Sequence, residues 1–186
     1  YLYNRLETIH PNIYFDTTKE SSEERFQEVL TELKSKNTWS RVGLFKVLAP
    51  FVASFRDGHT YLSIYEEFKS YADSGGTIFP LLIQIESGSI LVRANFAGKE
   101  PPPGAKITEI NGLPAEKIYD DMTDLVGAAR LPFVEAKISG NFPIYLWALY
   151  QFETPYRITY EPQVGEEKSP TLEAIPLEEY RRKKDL

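Results

Sequence analysis

Ala105-Lys106-Ile107-Thr108-Glu109-Ile110-Asn111-Gly112-Leu113-Pro114-Ala115-Glu116 is the stretch on which the fold turns. From Ala105 to Ile110 it alternates as a strand, with Ile107 and Glu109 on one side and Lys106, Thr108 and Ile110 on the other. Asn111-Gly112 is the strongest short turn signal in the chain, because both residue types tolerate positive φ. Pro114 suits the first turn of a helix, which is predicted from Ala115 to about Val126 with Ile118, Met122, Leu125 and Val126 inward.

Upstream, Phe79-Pro80-Leu81-Leu82-Ile83-Gln84-Ile85 reads as an apolar strand, Glu86-Ser87-Gly88-Ser89 as a hairpin turn and Ile90 to Ala94 as the returning strand. Pro101-Pro102-Pro103-Gly104 is a stiff connector. Downstream, Phe133 to Phe152 is predicted helical, with an interruption at Ser139-Gly140-Asn141. Tyr156–Tyr160 and Thr171–Ile175 are two further strands. Asp73-Ser74-Gly75-Gly76 is a linker signal, and a domain boundary is expected there.

The chain before that boundary has helical character. Leu2, Leu6 and Ile9 share one side of a short helix that His10-Pro11-Asn12 ends. Thr17 to Lys36 is a second helix, with Ser21 and Ser22 as cap candidates and Phe26, Val29, Leu30 and Leu33 as its buried stripe. A third opens at Trp39-Ser40 and carries Leu44, Phe45, Leu48, Phe51, Val52 and Phe55, with a kink or division expected at Pro50. It ends at Phe55-Arg56-Asp57-Gly58-His59-Thr60-Tyr61-Leu62-Ser63-Ile64, where Gly58 is expected to supply a left-handed helix end. Thr60, Leu62 and Ile64 then share one strand face and His59, Tyr61 and Ser63 the other, so His59 points away from the core. The expected class is α+β: helical domain 1–74, strand-rich domain 75–178 with an inserted helix, and residues 179–186 as a linker.

Composition narrows the chemistry. The net charge is −6, and the only basic cluster is Arg181-Arg182-Lys183-Lys184, which reads as a solvated tail, so nucleic acid is not an expected partner. With no cysteine, a thiol nucleophile, a disulfide and a zinc–thiolate site are excluded. The two histidines, His10 and His59, do not make a histidine-rich metal site, and no metal or cofactor is expected. No stretch approaches the roughly 20 apolar residues of a membrane span. No phosphate-cradling glycine loop and no Gly-x-Ser-x-Gly elbow occurs. The chain starts at Tyr1 and reads as a segment of a longer protein.

Two stretches carry a resemblance to a known family. Ala105 to Glu116 resembles the strand–Asn-Gly–helix segment of PDZ-like domains in C-terminal-processing and tricorn-type serine peptidases. His10-Pro11-Asn12-Ile13-Tyr14 and Phe55 to Leu62 resemble the helical domain that precedes it, in the same order. The resemblance implies that residues 75–178 are PDZ-like, that His59 is the base of the parent peptidase, and that the nucleophilic serine belongs to a downstream domain absent from this chain. In tricorn-type members a serine precedes that histidine; here Gly58 stands there, so the resemblance assigns His59 no orienting partner. A corner histidine with a structural hydrogen bond is the other reading. Asp57 reads as a turn and cap residue, and His10 as a helix-end residue.

The resemblance also implies a polypeptide substrate or C-terminal peptide as partner, held by strand addition. The nearest equivalent of a carboxylate-binding loop is Gly76, Thr77, Ile78 and Phe79, followed by Pro80, which removes one backbone donor. An exported, periplasmic or extracellular location follows from the resemblance alone. The rival to the peptidase reading is a peptide- or protein-binding module without catalysis.

Overall fold

The computed structural model describes residues 1–185. The chain divides into two compact units, one made of Tyr1–Ser63 with Asp124–Val134, the other of Ile64–Thr123 with the residues from Glu135 onward.

The first unit is helical: α1 Leu2–Ile9, α2 Lys19–Lys34 and α3 Arg41–Ala53. Thr18, not Ser21 or Ser22, caps α2, its hydroxyl accepting the Ser21 N–H at 3.2 Å. Ser22 lies inside the helix, fully buried, and its hydroxyl donates to the Thr18 carbonyl at 2.8 Å. Ser40 caps α3 by accepting the Gly43 N–H at 3.0 Å. That helix runs on through Pro50, which lies in its last turn, where the Ser54 N–H and hydroxyl satisfy the terminal carbonyls of Pro50 and Phe51. The core is aromatic. Tyr3 meets Phe26 at 5.0 Å and Phe51 at 5.7 Å between ring centroids, and Phe51 meets Phe55 edge-on at 5.3 Å. Truncating one such ring to alanine costs about 3–5 kcal/mol. Tyr14 closes this core from outside α1: its hydroxyl lies 2.9 Å from that of Tyr3 and donates to Glu7 at 2.5 Å. Burial and then the Glu7 carboxylate push the Tyr14 hydroxyl far up, so it stays a donor. This fastening fixes the segment containing His10.

The second unit contains α4 Tyr65–Asp73, β1 Thr77–Ile78, β2 Leu81–Glu86, β3 Ser89–Asn95, β4 Lys106–Ile110, β5 Leu113–Pro114, α5 Ala115–Thr123, most of α6 Leu131–Tyr150, β6 Tyr156–Glu161, β7 Thr171–Leu172, β8 Ile175–Pro176 and α7 Leu177–Lys184. The sheet order is β2-β3-β4-β6-β7, antiparallel throughout, with β5 beside β4, while β1 and β8 form a separate pair. Helices before a mostly antiparallel sheet make the chain α+β. Two tight turns set the register. Ser87 and Gly88 have φ of 49° and 76°, Asn111 and Gly112 of 51° and 79°, so both turns use the mirror-image geometry that suits hairpin twist.

Several elements differ from the sequence expectation, Pro114 among them, which lies in β5 and not in the first turn of α5, a helix that ends at Thr123. The helix α4 belongs to the second unit, because Phe68 packs with Ile78, Ile175 and Tyr180. The helix α6 is continuous across Ser139-Gly140-Asn141, where the Ser139 hydroxyl and the Asn141 amide donate to carbonyls one turn back, those of Glu135 and Lys137. Residues 177–184 are a helix and not a linker: Tyr180 is buried against Phe96 at 5.1 Å, and Lys183 donates to the Phe96 carbonyl at 2.6 Å. Among the described residues no helix is long and apolar enough to cross a membrane.

Candidate functional site

The corner after α3 is built by side chains. Arg56, not Gly58, takes the left-handed conformation, at φ 56°. Gly58 serves close packing instead, since a Cβ there would lie 3.1 Å from the Phe133 ring, within the same unit. The expected strand over Thr60–Ile64 does not form; these residues are irregular up to the start of α4. The reason is local. Thr60 and His59 give their donors to Asp57 instead of to a neighbouring strand, with the Thr60 N–H on the Asp57 carbonyl at 3.1 Å.

The Asp57 carboxylate is the centre of the arrangement. Its Oδ2 accepts the Thr60 hydroxyl at 2.7 Å and the His10 Nε2–H at 2.9 Å. Its Oδ1 accepts the His59 backbone N–H at 3.2 Å and lies 3.4 Å from His59 Nδ1. The Thr60 hydroxyl above all, then His10 and His59, hold this carboxyl far below the usual aspartate range, against the opposing effect of burial.

The two imidazoles differ in what remains open. His10 is 19% exposed, and its Nδ1 accepts the Asn12 N–H at 3.2 Å. Nδ1 therefore carries the lone pair and Nε2 the proton given to Asp57. Both ring nitrogens are engaged, so His10 presents neither of them to a substrate. The His59 side chain is 99% exposed, and its Nε2 meets no partner among the described residues. With Nδ1 facing a carboxylate and Nε2 open, His59 has the two-sided geometry a general base needs. The 3.4 Å separation is longer than a hydrogen bond, a looseness common where a site tightens only around its substrate.

In the second unit, Gly76, Thr77, Ile78 and Phe79 lie in a packed environment. Thr77 and Ile78 pair with Pro176 and Ile175 of β8, and Ile78 and Phe79 are 2% and 1% exposed. The Tyr71 ring crosses Gly76 so closely that a Cβ would meet it at 2.5 Å, and the Tyr71 hydroxyl donates to the Thr77 carbonyl at 3.1 Å. A peptide strand added on the β8 side would have to displace β8. The strand β2 is engaged too, since the Ile85 N–H donates to Ser139 of α6 at 2.8 Å. A cleft of about 490 Å³ opens elsewhere in this unit, between the β2–β3 turn, β4 and the start of α5, lined by Ser89, Lys106, Thr108, Glu116 and Asp120 among others. Among the described residues no group of three or more carboxylate and imidazole side chains is arranged to hold a metal ion.

Sequence reasoning singles out His59 and passes over His10 as a member of the same cluster. His10 and Asp57 are 47 positions apart, and no periodicity links a helix-end histidine to a distant turn. The available signal is the count: a chain with two histidines invites the question of whether they meet.

No family model matches the chain, and no curated protein matches it in sequence. Solved structures do match. A serine-to-alanine mutant of CPAF, a chlamydial serine protease, superposes with a TM-score of 0.53 at 14% identity, covering 81% of this chain and 27% of that one. Mature CPAF gives the same score and identity, with 81% and 28% covered. The chain thus spans little more than a quarter of the length of these structures. What it shares with a serine protease is a distant α+β fold.

Proposed function

We propose that this chain is the base-bearing, non-nucleophilic part of a serine endopeptidase of the tricorn or C-terminal-processing kind. His59 is the general base, Asp57 orients it, and the serine comes from outside these 186 residues. The observation that carries this reading is the state of His59: Nδ1 turned to a carboxylate and Nε2 open to solvent. A serine hydroxyl presented to Nε2 would lose its proton to the ring as Oγ attacks the peptide carbonyl carbon. The same proton would then pass to the amine as the C–N bond breaks. Asp57 suits the orienting role because it remains ionised throughout the neutral range. The distant fold likeness to CPAF, and the small share of that protein this chain spans, fit a catalytic part supplied from elsewhere.

The decisive experiment is peptidase activity of the full-length parent on a denatured protein substrate, wild type beside His59→Ala. The expected loss is about a thousandfold or more with the fold intact. Undiminished activity sinks the assignment. A second reading, a polypeptide-binding module, draws on the cleft beside β4 and α5 in the second unit. Absence of activity in both parent proteins, with saturable peptide binding, would favour it.

A further inference from the structure

We infer that His10 is a positioning residue of this site: its Nε2–H grips the Asp57 carboxylate, and that grip sets which oxygen faces Nδ1 of His59 and so the tautomer of His59. This rests on the reading of His59 as the base.

The two oxygens of Asp57 have different partners. Thr60 and His10 both bind Oδ2, which leaves Oδ1 turned toward His59. Without His10, Oδ2 would keep only a rotatable hydroxyl and Oδ1 only the His59 backbone N–H, and a carboxylate that is 29% exposed could turn about these two toward water. Oδ1 would then leave Nδ1 of His59. His10 suits this work because its own ring is fixed from behind. Its N–H closes α1 on the Leu6 carbonyl at 2.9 Å, its Nδ1 is tied to Asn12, and the following Tyr14 is bound to Tyr3 and Glu7. A line of contacts thus runs from the aromatic core through His10 and Asp57 to an otherwise fully exposed imidazole. Its chemical consequence is specific. His10 carries its proton on Nε2, whereas His59 carries it on Nδ1.

Because the chain has two histidines, both rings can be resolved by long-range proton–nitrogen NMR at about pH 8, where imidazoles are neutral. The expected result is an Nε2–H signature for His10 and an Nδ1–H-enriched signature for His59. The latter should shift toward Nε2–H in His10→Ala and be retained in His10→Gln, whose amide donates from a similar reach. In the active parent, His10→Ala should lower kcat on the order of a hundredfold at unchanged KM, and His10→Gln should restore most of it. A His10 proton found on Nδ1 overturns the inference. So does a His59 signature, or a kcat, that ignores His10→Ala in a folded protein. Should His10→Ala fail to fold, the comparison of wild type with Asp57→Asn decides: an unchanged His59 signature overturns the inference. Lack of peptidase activity in the parent would remove the proposed function while leaving the tautomers as expected, so the two failures are distinguishable.

Discussion

Two glycine-bearing corners reverse the chain, and they are held by opposite means. At Asn111-Gly112 the backbone does the work: both residues are left-handed, and the Asn111 side chain is spent on structure, accepting the Arg157 N–H at 2.7 Å and donating to the Glu153 carbonyl at 3.2 Å. At Asp57-Gly58 the left-handed residue is Arg56, and side chains do the work, with three residues donating to one carboxylate. The first corner leaves no functional group open. The second leaves an imidazole nitrogen open to solvent beside a fixed anion. A turn made by backbone geometry is complete in itself, whereas a turn made by a carboxylate can also hold a catalytic group.

The sharpest way to break this contrast is Asp57→Asn in the parent. Removing the charge from the second corner should lower kcat by about a thousandfold or more, and an unaltered kcat would reduce both corners to structure. Next in size is Gly112→Val. A β-branched residue forced to φ 79° should cost about 2 kcal/mol, read as a lower denaturant midpoint at constant slope. No loss would mean that the first corner does not depend on its backbone. A third, smaller effect concerns pH. The carboxyl of Asp57 is more acidic folded than in an unfolded chain, where it titrates near about 3.9. As pH falls the unfolded state takes up the proton first, so the stabilisation is complete above about pH 5 and is lost progressively below it, down through the much more acidic titration of the folded carboxyl. Denaturation midpoints at about pH 6 and about pH 3 should differ more in wild type than in Asp57→Asn; equal differences would show that Asp57 is not the anchor. The smallest effect is expected for Gly58→Ala. With no positive φ to strain, only the Phe133 ring must give way, and the cost should stay below about 1 kcal/mol. A cost equal to that at Gly112 would erase the distinction.

Legibility in the sequence follows the range of the interactions. The β4–β5 turn is readable because the need for positive φ is met by two adjacent residues. The β2–β3 hairpin is readable for the same reason, with Glu86 opposite Ser89 as expected. The strand expected at Thr60–Ile64 is absent, because alternation over five residues says nothing of a partner strand, and the donors that would have served one go to Asp57. Ser21 and Ser22 look like caps in the sequence, yet Thr18 stands where the extended backbone meets the helix. Ser139-Gly140-Asn141 looks like a break, yet each polar side chain finds a carbonyl in its own helix.

The sequence by itself determined the α+β class, the β2–β3 hairpin, the Asn111-Gly112 turn, the aromatic helical core and the placing of one histidine at a corner. Each of these rests on periodicity or on the φ preference of neighbouring residues, which are properties of short segments. Tertiary structure decided that α4 joins the strand-rich unit, that β8 covers β1, and that His10 meets Asp57. Those outcomes depend on which surfaces pack after the chain has folded back over tens of residues. A carboxylate binds whichever donors that packing delivers, and no local pattern of residues records which they are.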